Sequence, residues 1–96
     1  MARAENYLRG LLKADLQLTT TAFDTYLDQL LDAAEGFIGR EGIKLTESAE
    51  HDQLRVMYAA YLYRNRAKDN PVMPRMLRWA LNNELMRQKG AVADAT

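Results

Sequence analysis

His51 is the only histidine of the chain, four residues after Glu47 and next to Glu50. An imidazole beside carboxylates could ligate a metal or act as a base. Neither use is completed here, because no second histidine, no cysteine and no calcium-binding loop accompanies it. His51 therefore reads as a solvated residue in an acidic helix start. Gly39-Arg40-Glu41-Gly42 is too short to cradle a phosphate and follows a helical rather than a strand pattern, so it reads as a helix stop. Ser48 has no base at motif spacing and reads as a cap. The absence of cysteine removes disulfides, thiolate nucleophiles and cysteine-rich zinc sites together. No catalytic residue, cofactor or metal is expected.

Surfaces remain, and three of them stand out. Asp24, Asp28, Asp32 and Glu35, spaced by four, four and three, draw an acidic stripe on a segment without Lys or Arg. Like charges so placed cost about a few tenths of a kcal/mol each, a cost that neighbouring basic groups would remove. Arg64, Arg66 and Lys68 with Arg75 and Arg78 form a basic counterpart around the Pro71 to Pro74 corner. Trp79 and Met86 lie on the side of the last helix opposite its core stripe, and exposed Trp beside Arg is what interface anchors are enriched in. The candidate interface residues are thus Asp24, Asp28, Asp32, Glu35, Arg64, Arg66, Arg75, Arg78, Trp79 and Met86.

The elements that must position them are helical, since no segment alternates with period two for long enough to be a strand. A short first helix is expected over Arg3 to Lys13, with Tyr7, Leu8, Leu11 and Leu12 apolar. Thr21 with Asp24 resembles a capping box for a second helix. Its core stripe is Phe23, Tyr26, Leu27, Leu30, Leu31, Ala34, Phe37 and Ile38. A third helix, capped by Thr46 or Ser48, carries an uncharged run from Val56 to Tyr63 that calls for cover on more than one side, and Asp69-Asn70-Pro71 should end it. Pro74 suits the first position of a fourth helix with Met73, Met76, Leu77, Ala80, Leu81 and Leu85 as its core stripe. The fold class is all-α, a small bundle of about four helices. Residues 1–89 form a single domain, and 90–96 form a tail without periodicity, expected to be mobile when alone.

Ninety-six residues suit one domain. Thirteen basic against thirteen acidic residues give zero net charge, which disfavours gripping of phosphate backbones. The zero is split: residues 1–53 carry five basic and ten acidic side chains, and residues 54–96 carry eight and three. Opposed halves of minus five and plus five would suit head-to-tail contacts between copies. No apolar run is long enough for a membrane span, no signal peptide is expected, and the chain reads as cytosolic or compartment-neutral. A small helical DNA-binding regulator, with the helix after Pro74 as its reading head, is the alternative from another class.

Laid out in order, Asn6-Tyr7-Leu8-Arg9, Leu30-Leu31-Asp32-Ala33-Ala34-Glu35-Gly36-Phe37-Ile38, Met57-Tyr58-Ala59-Ala60-Tyr61-Leu62-Tyr63-Arg64 and Pro74-Arg75-Met76-Leu77-Arg78-Trp79-Ala80-Leu81-Asn82-Asn83 carry a resemblance. Over roughly Glu5 to Lys89 the chain resembles the small head-tail connector (adaptor) proteins of long-tailed double-stranded DNA bacteriophages and prophages. The resemblance implies a four-helix structural subunit without enzymatic activity, which assembles into a ring of about a dozen copies. Such a ring sits below the portal in the virion neck after assembly in the host cytoplasm. It extends the DNA channel, lets double-stranded DNA pass without reading it, and offers a platform to a stopper or tail-completion protein.

Overall fold

The computed structural model describes the backbone of residues 6–95 and the side chains of residues 6–90. Four helices follow one another: α1 (Tyr7–Leu16), α2 (Asp24–Arg40), α3 (Ala49–Arg64) and α4 (Arg75–Ala95), with no strand among the described residues. Helices α2 and α4 bury apolar residues at steps of three and four. In α2 these are Leu27, Leu31, Ala34 and Ile38, and α4 contributes Leu77 and Leu81.

Helix α3 is the centre. It packs against α1, α2 and α4, whereas α1 and α2 also pack on each other. Its uncharged run supplies Val56, Tyr58, Ala59 and Ala60 to the core, which is the many-sided cover expected of it. The layer order is therefore α1 and α2, then α3, then α4. The molecule measures 49 × 38 × 18 Å, so its thin dimension is less than two helix diameters, at about 10 Å each.

The helix ends follow local chemistry. Helix α1 closes on Gln17, which adopts the left-handed conformation at φ 59°, while the Leu18 N–H reaches back to the Lys13 carbonyl at 2.9 Å. Gly42, at φ +100°, turns the chain after α2. Ser48 caps α3, its Oγ accepting the His51 N–H at 3.2 Å.

Several expected boundaries move. Helix α1 runs to Leu16 rather than Lys13, and the expected start at Arg3 lies outside the described residues. No capping box forms at α2: Phe23 holds the cap position without a side-chain bond, and the Thr20 hydroxyl instead accepts the Ala22 N–H in a local turn. Helix α3 ends at Arg64, well before Asp69. There the Asn65 amide donates to the Tyr61 carbonyl at 2.8 Å and competes with further helix. Met76 was expected in the core stripe of α4 but is 67 % exposed, because α4 is covered mainly by α3 along its Leu77 and Leu81 side. Helix α4 also continues past Gly90 to Ala95, over the stretch expected as a mobile tail without periodicity; the side chains there lie outside the described residues.

Candidate interaction surface and the polar clamp beneath α4

The acidic stripe of α2 meets its countercharges inside the chain. Arg9 of α1 grips Asp28 with two bonds, Nε to Oδ1 at 2.9 Å and Nη2 to Oδ2 at 2.6 Å. That guanidinium holds the Asp28 carboxyl below the usual carboxylate range against the opposing effect of burial. Lys13 reaches Asp24 at 2.8 Å, and Arg55 of α3 reaches Glu35 at 3.0 Å. Asp32 is the member of the stripe that stays exposed with no ion pair among the described residues.

The basic counterpart is likewise partly consumed. Arg64 bonds Asp15 at 3.1 Å, Arg66 lies 4.0 Å over the Tyr63 ring, and Arg78 forks onto both oxygens of Glu41 at 3.1 Å each. The Glu41 carboxyl is held low by that hydrogen-bonded pair. Arg75 remains exposed without a carboxylate partner among the described residues. Part of the charge complementarity between the two halves of the sequence is thus met within one chain, by Arg55 with Glu35 and Asp52, Arg64 with Asp15 and Arg78 with Glu41.

His51 corrects the expectation of a solvated residue. It is 3 % exposed and joins the connector after α2, the first turn of α3 and the middle of α4. The backbone N–H of Thr46 donates to Nδ1 at 2.8 Å, which leaves that nitrogen without a proton and assigns the proton to Nε2. Nε2 then donates to Glu84 Oε2 at 2.6 Å. Arg87 bonds the same carboxylate, and with His51 and Gln88 it pushes the Glu84 carboxyl down to about 2 despite burial. Gln88 completes a two-point clasp on the connector: its Oε1 accepts the Lys44 N–H at 2.9 Å and its Nε2 donates to the Lys44 carbonyl at 3.0 Å. Beside it, buried Arg55 bonds Asp52 at 2.9 Å and the Thr46 carbonyl at 2.6 Å. These groups satisfy one another, and no buried side-chain polar atom among the described residues lacks a partner. No group of three His, Cys, Asp or Glu among the described residues could hold a metal.

The outer side of α4 is different in character. Trp79 is 62 % exposed and Met86 is 66 % exposed, both where the helical projection places them, and Met76 extends the row. Beside the row runs a groove of about 550 Å³ between α3 and α4, with Met57, Ala60, Tyr61, Leu77, Trp79 and Ala80 among its walls. A wider cleft of about 840 Å³ lies at the clasp, between Lys44, Ser48, His51 and Arg87. No helix among the described residues is long and apolar enough to cross a membrane.

Sequence reasoning found Trp79 and Met86 because α4 is regular enough for angular projection. It missed the clamp that His51 forms with Glu84 and Gln88, because 33 positions separate His51 from Glu84 and no spacing signal links them. No family model, curated protein or solved structure matches the chain.

Proposed function

We propose that the chain is a structural subunit of a bacteriophage head-tail connector, assembling into a ring below the portal, extending the DNA channel and providing a docking platform for a stopper or tail. The observation that carries this reading is the exposed apolar row of Met76, Trp79 and Met86 on a helix otherwise firmly seated through Leu77 and Leu81. A small protein that leaves a tryptophan and two methionines in line on one face has a surface suited to another chain. The four helices agree in number with the four-helix subunit that the family resemblance implies. Zero net charge suits a conduit that DNA must slide through, since a wall rich in unpaired Lys and Arg would hold phosphates.

Its partners on this reading are further copies of itself, the portal protein, a stopper or tail-completion protein, and double-stranded DNA in transit. Electron microscopy and native mass spectrometry of the purified chain, with and without its portal, test the reading; rings or portal-bound rings are expected. A chain that stays monomeric beside its portal while binding DNA tightly in gel shifts would overturn it in favour of a small helical DNA-binding regulator.

A further inference from the structure

We propose that the outer face of α4 in one copy packs on the outer face of α2 in the next, joining subunits head to tail through Met76, Trp79 and Met86 on one side and Asp32, Ala33 and Gly36 on the other. This rests on the self-assembly proposed above and assigns its two surfaces.

The α4 face has the pattern of a helix meeting another helix. Met76, Trp79, Asn83 and Met86 are exposed at steps of three, four and three, within about 80° of one another at 100° per residue. Basic groups flank the row, with Arg75 and Lys89 exposed and without carboxylate partners among the described residues. Two such faces brought together would set like charges side by side, which costs affinity, so α4 does not pair with α4 of another copy. The complement must be acidic or neutral and able to admit a large ring.

The outer face of α2 meets those terms. Gln29, Asp32, Ala33 and Gly36 are exposed, opposite the buried Leu27, Leu31, Ala34 and Ile38. Asp32 is the acidic group of this face, and it has no ion pair among the described residues. A Cβ added at Gly36 would meet nothing within 4 Å, so no contact inside the subunit calls for glycine there. Glycine in a helix interior still costs about 1 kcal/mol relative to alanine. A side chain as large as Trp79 approaching from outside gives the small residues a purpose.

Placement then dictates the kind of assembly. The exposed rows of α2 and α4 are different surfaces of the subunit, each opposite the buried stripe that seats its own helix, so a contact between them leaves one surface of each kind for the next neighbour. That is a heterologous contact, which generates rings when its rotation closes and filaments when it does not. Three exposed apolar side chains supply a few hundred Å² at most, short of the roughly 800 Å² per partner of a stable pair. An isolated pair is weak, and closure, which gives every subunit two contacts, carries the assembly.

The chain has no cysteine, so Ala33→Cys and Asn83→Cys each introduce a sole thiol at the middle of one face. Mixed under oxidising conditions, the two variants are expected to form a 33–83 disulfide-linked dimer, and the double variant a ladder of covalent multimers on a denaturing gel. Asp32→Lys should weaken association roughly tenfold by light scattering, and Asp32→Lys combined with Arg75→Asp should restore it. Disulfide dimers of Asn83→Cys alone, or wild-type multimers without any 33–83 link, would overturn this pairing while leaving self-assembly in place. A wild-type chain that is monomeric at every concentration, alone and with its portal, and yields no link would overturn both, and α4 would then serve an acidic helix of a different protein.

Discussion

His51 Nε2 lies 2.6 Å from Glu84 Oε2, tying the first turn of α3 to the middle of α4 across 33 positions of sequence. Since Thr46 donates to the other ring nitrogen, one side chain fixes three segments at once. His51→Ala leaves the Thr46 N–H and one bond of Glu84 without the partner that a side chain only 3 % exposed supplies. A loss of about 1–3 kcal/mol in urea unfolding is expected.

The same carboxylate sets an acid limit. Its folded pKa of about 2 lies below its ordinary 4.5, so the unfolded chain binds the proton more readily. The stabilisation is complete above pH 4.5 and is lost as pH falls towards 2. Asp28 and Glu41, both lowered by arginine partners, act with the same sign. Glu84→Gln should flatten the dependence of unfolding free energy on pH in that window and leave it unchanged near neutrality.

Gln17 holds a left-handed conformation that costs an L-residue roughly 1 kcal/mol and glycine almost nothing. Gln17→Gly is expected to raise stability by about 0.5–1 kcal/mol, read as a higher urea midpoint, whereas Gln17→Ala should give no gain.

Gly42 faces the opposite constraint. At φ +100° and with Leu85 Cδ1 3.3 Å from where a Cβ would sit, Gly42→Ala strains the turn and presses on α4 together. A destabilisation of about 1–2 kcal/mol is expected, and Leu85→Ala in the same chain should relieve only the part due to crowding.

Two neighbours on α4 separate folding from the proposed assembly. Leu77→Ala opens the core and should cost about 2–5 kcal/mol. Trp79→Ala, two positions on, should change stability by under about 0.5 kcal/mol, keep the circular dichroism of the wild type and diminish multimers in native mass spectrometry.

What the chain discloses in advance is what repeats. The stripes of Leu27, Leu31, Ala34 and Ile38 and of Leu77 and Leu81 recur at helical steps, so the helices and the outward Trp79 were legible, as was the need of the uncharged run in α3 for cover on more than one side. Boundaries were less so, because the Thr20 hydroxyl and the Asn65 amide each chose a local backbone partner over the helix. The ion pairs between elements could not be read: Arg9 to Asp28 and Arg78 to Glu41 depend on how helices cross, and local spacing shows only that charges exist. For the same reason a buried histidine looked like a solvated one.

The row on α4 also has a redox character. Two of its three apolar members are methionines, each about two-thirds open to solvent, and peroxide converts such thioethers to polar sulfoxides. Oxidation of Met76 and Met86 would roughen this one face while Leu77 and Leu81 stay sheltered beneath. Aged or oxidant-treated protein should therefore keep its helices and its melting temperature yet lose the proposed association with other chains, and methionine sulfoxide reductase should return it.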